Sequence, residues 1–152
     1  MKLTTSIRHA GAAAAVAGLA VIGLATYAQA QAPQPLKIGV MEGFSGVYGD
    51  LTQGEVEAIQ MAIEDFGGKV LGRPIEVLQA DHQTKPDVGA AIARKWYDVD
   101  GVKMITGIGT SSVALAVRKI AQEKGMIDIN TGAASADLTG AACSETGAHW
   151  VY

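Results

Sequence analysis

From residue 36 onward the chain repeats one pattern four times: a short apolar run, a polar loop, then an amphipathic segment. Leu36 to Met41 (LKIGVM) is too short for a helix and predicts a central strand. Beyond the loop EGFSGVYGD, Val56, Ile59, Ala62, Ile63 and Phe66 recur at helical spacing, predicting a helix that buries this face and stops at Gly67-Gly68. Ile75 to Ala80 (IEVLQA) predicts a second strand, entered from the turn LGRP. In the next helix Pro86 falls in the first turn, and Val88, Ala91, Ile92 and Trp96 make the apolar stripe. Val102 to Thr106 predicts the third strand. The following helix has Ser111 or Ser112 as N-cap, turns Val113, Val117, Ile120 and Ala121 inward and closes at Lys124-Gly125. Met126 to Asn130 (MIDIN) is the fourth strand, followed by the loop TGAASADLTG.

Strands alternating with helices require right-handed crossovers and a parallel sheet covered on both faces. The predicted class is α/β, a three-layer, doubly wound, Rossmann-like sheet. In such sheets ligands sit outside the carboxyl ends of the strands. The loops at that edge, FSGVYGD, DHQTK, GIGTSS and TGAAS, are the Gly- and hydroxyl-rich ones, whereas GGKVLGRP, DVDG and EKG at the other end are plain turns. Function is expected at the first edge.

The first thirty residues stand apart. Lys2 and Arg8 precede an uncharged Ala/Gly/Val/Leu run, and Ala28-Gln29-Ala30 has the small-x-small form of a cleavage site. Residues 1–30 read as a secretory signal peptide cut after Ala30, and residues 31–35 as a leader linker. A membrane anchor is the competing reading, but the run is short for a span and rich in Ala and Gly. Without Lys2 and Arg8 the mature chain carries ten basic and fifteen acidic side chains. This points to a soluble, acidic, exported protein, and the scattered cations and sparse aromatics argue against nucleic acid as a partner. The single cysteine, Cys143, is either a buried free thiol or one half of a bridge to a cysteine outside this sequence.

Catalytic motifs are not evident. Gly107 to Ser112 has no lysine after its second glycine, which excludes a phosphate-binding loop. GIGTSS follows the third strand rather than the first and ends in serine, against a dinucleotide fingerprint. A nucleophile elbow GxSxG is absent, and a triad would have to recruit His82 or His149 from other loops. An exported serine hydrolase is therefore the poorer alternative. Asp81-His82 lacks a third ligand at metal-binding spacing and reads as a loop turn with a helix-capping role. Trp150 reads as core. Tyr48, between two glycines in a strand-end loop, is placed to lie over a ligand. Ser111 and Ser112 are either helix caps or donors to an anion at the helix start. No metal or cofactor is expected.

Two stretches, LKIGVMEGFSGVYGDLTQGEVEAIQMAIEDFGG and ITGIGTSSVALAVRKIAQEKGMIDINTGAASADLTG, resemble the amino-terminal lobe of the type I periplasmic binding proteins of ABC importers. The leucine/isoleucine/valine-binding branch is the most similar. The resemblance covers essentially all of residues 36–152. It implies a clamshell that closes around a small carboxylate or amino-acid ligand and then docks on permease subunits in the inner membrane. By the same resemblance, Ser111 and Ser112 would donate to a ligand carboxylate, Ala133 would offer its backbone carbonyl and Ser135 its hydroxyl, and Tyr48 would cover the ligand.

The pattern also departs from that family. The leucine-binding branch often joins the loops after its second and third strands by a disulfide, where this chain has Gln83 and Thr110. ADLTGAACSETGAHWVY resembles a divergent branch whose ligands include aromatic acids. Family members are about twice this length or more, so the sequence reads as one lobe of a larger protein. The implied function is a non-enzymatic substrate-binding protein for a branched-chain amino acid or related carboxylate. A sensor module of the same fold is the alternative.

Overall fold

The computed structural model describes residues 32–150; the signal-peptide reading falls on residues 1–30, outside the described residues. Six strands and three helices form one α/β sheet unit: β1 (Leu36–Glu42), α1 (Gly49–Asp65), β2 (Lys69–Val70), β3 (Arg73–Asp81), α2 (Pro86–Lys95), β4 (Val102–Gly107), α3 (Ser111–Lys124), β5 (Ile127–Asn130) and β6 (Gly147–His149). The sheet order is β2-β3-β1-β4-β5-β6, parallel throughout except for the β2–β3 ribbon. The four expected strands are its centre. β2 and β6, two and three residues long, were not anticipated, because runs so short carry no periodicity.

Chain direction reverses at β1. The crossover to β3 runs one way and the crossovers to β4 and β5 run the other, so right-handed connections put α1 on one face and α2 and α3 on the opposite face. The main core lies on the second face, where Met41, Ile105, Val113, Val117, Ile120, Ala121 and Trp96 are all buried. Each fully buried aliphatic side chain there contributes about 1.5–3 kcal/mol. Trp96 lies so close over β1 that a Cβ at Gly39 would come within 2.4 Å of its ring, so only glycine fits beneath the indole. A π-helical turn, Trp96–Asp100, continues α2 and buries both Trp96 and Tyr97, whose hydroxyl donates to the Ile127 carbonyl at 2.9 Å.

The α1 face is less covered than the periodicity predicts. Val56 is buried, but Phe66 is 70% exposed and Met61 64%, while Ile127 of β5 is 45% exposed on the sheet. Trp150, expected in the core, is 80% exposed; its backbone N–H extends β6 by donating to the Asn130 carbonyl. In α2 the buried positions are Gly89 and Ala93 rather than Val88 and Ala91, because the helix lies close enough to α3 that small residues take the contact. The Gly89 position would bring a Cβ within 2.5 Å of Val113.

One buried cation ties the edge of the sheet to its centre. Arg118 of α3, 1% exposed, donates from Nε to Asp128 Oδ2 (2.6 Å), from Nη1 to the Leu138 carbonyl (2.8 Å) and from Nη2 to the Ala148 carbonyl (3.0 Å). Every nitrogen of the guanidinium is engaged and its charge is paired, while Asp128 Oδ1 is left without a hydrogen-bond partner among the described residues. Removing one partner leaves the other charge buried and unpaired. Arg118→Ala is therefore expected to lower stability by about 3–5 kcal/mol, read as a shifted urea midpoint at unchanged slope.

Candidate functional site

The β1–α1, β3–α2, β4–α3 and β5–β6 loops meet at the carboxyl edge of the sheet, as the fold class requires. They enclose a cavity of about 500 Å³ lined by residues of all four, with α1 forming one wall. Its lining includes Glu42 at the end of β1 and Gly43 just after it, Tyr48, Leu51, Thr52 and Glu55 from α1 and its approach, and Thr84 from the β3–α2 loop. Gly109, Thr110 and Ser111 come from the start of α3, and Gly132 and Ala134 from the loop after β5.

The β4–α3 loop is held under strain. Ile108 is fully buried with φ of 64°, a conformation that costs a β-branched residue about 1–2 kcal/mol. Two bonds hold it there: its N–H donates to the Met41 carbonyl (2.9 Å) and its carbonyl accepts from Asn130 Nδ2 (2.8 Å). Asn130, itself fully buried, also accepts the Ala133 N–H on Oδ1 at 2.9 Å. One amide thus joins the two loops that form the cavity floor. They run so close that a Cβ on Gly132 would come within 2.9 Å of the Gly109 Cα, which demands glycine at that crossing.

Thr110, not a serine, occupies the N-cap position of α3, and no side-chain hydrogen bond caps the helix. Ser111 is the first helical residue, and its Oγ accepts the Ala134 N–H at 3.2 Å, a bond between loops rather than a cap. The first i to i−4 bond of the helix is from the Ala114 N–H to the Thr110 carbonyl. The N–H groups of Ser111, Ser112 and Val113 therefore have no intrahelical acceptor and concentrate positive potential at the cavity.

Of the residues singled out from sequence, Tyr48 and Ser111 line the cavity. Tyr48 is 57% exposed at its mouth, beside Val47 and Leu51. Ser112 lies in the first turn of α3 but not in the lining. Ala133 is fully buried and its carbonyl is taken by His149 Nε2 at 2.6 Å, while the Ser135 hydroxyl accepts the Asp137 N–H at 3.3 Å. Ala134 replaces both in the wall. Asp81 binds the N–H groups of Ser45 (3.1 Å) and Gln83 (2.7 Å), closing a turn; the N-cap of α2 is Lys85, so the capping role does not hold.

The sequence reading missed the two charged residues of the lining. Glu42 ends β1, is 1% exposed and accepts the Gly109 N–H with both oxygens at 3.1 Å. Glu55, one turn beyond Leu51 in α1, accepts a short hydrogen bond from the Thr131 hydroxyl. Burial drives the Glu42 carboxyl up to about 8; the Gly109 N–H opposes this, and the Glu55 charge adds to it. His82, fully buried, has Nε2 4.0 Å from Glu42 Oε2 without a hydrogen-bond partner, and burial holds it below the ordinary histidine range against the pull of Asp81. A signal for Glu42 existed: an acid immediately after an unbroken apolar run, at the edge where ligands bind. Glu55 had none, since its helical position reads as solvent-facing.

The comparisons with known proteins agree with this architecture. The sequence profile described as periplasmic binding protein matches residues 35–152. The chain belongs to this family. A Leu/Ile/Val-binding protein homolog 1 of Brucella abortus is 31% identical over 103 residues, covering 67% of this chain and 27% of that protein. Homolog 3 of Brucella melitensis is 30% identical over 127 residues, 82% of this chain and 33% of that one. Among solved structures, a periplasmic binding protein from Burkholderia mallei superposes with a TM-score of 0.75 at 44% identity, over 77% of this chain and 32% of that chain. A solute-binding protein of an ABC transporter from R. palustris, in complex with benzoate, superposes at 0.70 with 27% identity, over 74% of this chain and 31% of that chain. The chain thus spans about a third or less of the length of these relatives and has the fold of the amino-terminal lobe of a type I periplasmic binding protein.

Two outcomes follow for this family member. Asn130→Ala leaves the Ile108 carbonyl and the Ala133 N–H buried without partners and is expected to cost about 1–3 kcal/mol, checked by urea denaturation. For Glu42 the sign is set by a carboxyl raised from 4.5 to about 8: the folded state holds the proton longer than the unfolded chain. Its contribution to stability is present below the lower value and is lost as pH rises through the folded one, at no more than about 1.4 kcal/mol per pH unit. Glu42→Gln should flatten this fall in denaturation series from pH 5 to 8.

Proposed function

We propose that this chain is the amino-terminal lobe of an extracytoplasmic substrate-binding protein of an ABC importer. Its ligand is a small solute with a carboxylate, a branched-chain amino acid or related acid. The observation that carries the reading is the start of α3 in the cavity: unbonded N–H groups at Ser111 to Val113, with the Ser111 hydroxyl beside them. A carboxylate set there receives both hydrogen bonds and the favourable end of the helix dipole. Ser111 and the backbone N–H of Ser112 are the donors, Tyr48 covers the ligand, and Ala133 and Ser135 act through the Ala134 backbone between them.

The cavity is open to solvent on the side of Val47, Tyr48 and Leu51, of which Val47 is 91% and Leu51 76% exposed. An apolar rim around a half-site is the surface that a second lobe closes over. Ligand exchange and release to permease subunits then follow from opening and closing of the two lobes. The protein is not an enzyme in this reading. It is exported by cleavage after Ala30 and works in the periplasm. The names of its relatives support transport, as Leu/Ile/Val-binding protein homologues and ABC transporter solute-binding proteins in complex with benzoate or 3,4-dihydroxybenzoic acid.

The test is a thermal-shift screen of the full-length gene product against amino acids, aromatic acids and simple carboxylates. One class is expected to raise the melting temperature by binding the folded state, and Ser111→Ala to weaken that binding by about tenfold, the loss of one charge-assisted hydrogen bond. A melt unmoved by every carboxylate would overturn the reading.

A further inference from the structure

His149 is the last residue of β6, at the edge of the sheet, and it does not line the cavity. Its ring nevertheless reaches the loop that does. Nε2 lies 2.6 Å from the Ala133 carbonyl, and a carbonyl can only accept, so Nε2 carries the hydrogen and donates it. Nδ1 is buried and has no hydrogen-bond partner among the described residues, so this one bond orients the ring. The carbonyl belongs to the same peptide as the Ala134 N–H, and that N–H donates to Ser111 Oγ at 3.2 Å. In a trans peptide the two groups point opposite ways, so fixing the carbonyl toward β6 fixes the N–H toward the cavity wall. The peptide before it is fixed as well, by the Ala133 N–H on Asn130 Oδ1 at 2.9 Å.

What this does to Ser111 decides its chemistry. A hydroxyl has one hydrogen to give and two lone pairs. With the Ala134 N–H on one lone pair, the hydroxyl hydrogen is left for another acceptor, and none among the described residues takes it. Turned over, the same peptide would present its carbonyl to Ser111, and the hydroxyl would donate there instead. We propose that His149 is a positioning residue for ligand binding: by donating to the Ala133 carbonyl it keeps the Ala134 N–H on Ser111 Oγ, and so keeps the Ser111 hydroxyl a donor to the ligand carboxylate. This rests on the reading of the α3 start as the carboxylate site. From His149 Nε2 through the Ala133–Ala134 peptide to Ser111 Oγ runs one hydrogen-bonded chain, and each donation in it polarises the next. The hydroxyl at its end is therefore also the stronger donor.

The test is a double-variant cycle read by isothermal titration calorimetry on the full-length gene product, with leucine and benzoate as probes. His149→Phe keeps a flat ring and loses the donor, whereas His149→Gln replaces the ring and offers an amide N–H at similar reach. Ser111→Ala and His149→Phe are each expected to weaken binding of the probe that the wild type takes by about tenfold. The double variant should bind no more than about twofold worse than the weaker single variant, because His149 acts through the hydroxyl already removed. His149→Gln should recover most of the affinity. A ring that merely stabilises the fold gives the opposite: penalties that multiply to about a hundredfold in the double variant, or a His149→Gln no better than His149→Phe. Either overturns the inference. So does a His149→Phe that binds as the wild type does while Ser111→Ala is weakened, and the carboxylate site then stands without it. If neither probe binds the wild type, or Ser111→Ala binds unchanged, the carboxylate reading itself fails and the inference with it. Should His149→Phe not fold, His149→Asn takes its place, since its shorter amide reaches the position of Nδ1 and not that of Nε2.

Discussion

The site depends on the register of a single strand. β1 is bonded on both sides, with Met41 opposite Ala80 of β3 and Gly107 of β4, and Glu42 opposite Asp81. This brings three strands to an end at one level, so that the loops leaving them open onto a common space. It also sets which side chain of β1 faces which layer: Met41 enters the core, and Glu42, next along, turns to the Gly109 loop. A slip of one residue would exchange the two, placing a carboxylate among Val113 and Ile105 and the methionine against the Gly109 loop, which is why register here is strongly specified.

Rigidity and strain are distributed unevenly around that register. Arg118 and Asn130 are buried polar side chains whose donors are matched to carbonyls or carboxylate, and they tie β5, β6 and the loops to α3. At the cavity the balance reverses. Ile108 sits in a left-handed backbone conformation, Glu42 is desolvated beside a second acid, and His82 has an unbonded nitrogen. These unfavourable features gather at the cavity, in keeping with the tendency of strain to cluster at functional sites. The hydrogen bonds of Arg118 and Asn130 behind the loops keep the strained geometry in place.

The family match places the chain among the periplasmic binding proteins. The start of α3 and two acids, Glu42 at the end of β1 and Glu55 in α1, line the same cavity.

Read from sequence alone, the chain declared the order of its four central strands and three helices, its fold class, the inner face of α3 and the edge of the sheet where the cavity lies. Those are consequences of local periodicity and loop composition, each encoded within one turn or one strand. Tyr48 and Ser111 could be singled out because Gly-flanked aromatics and hydroxyls at helix starts carry local signals. The pairing of Glu42 with Glu55, the bridge made by Asn130 and the retreat of Ala133 and Ser135 from the cavity could not. Each depends on which residues distant in sequence are brought together by strand register and crossover handedness, and a side chain's neighbours across such a gap are set by tertiary packing. The exposure of Phe66 and Trp150 has the same origin: an apolar residue is buried only where the fold supplies a surface to cover it.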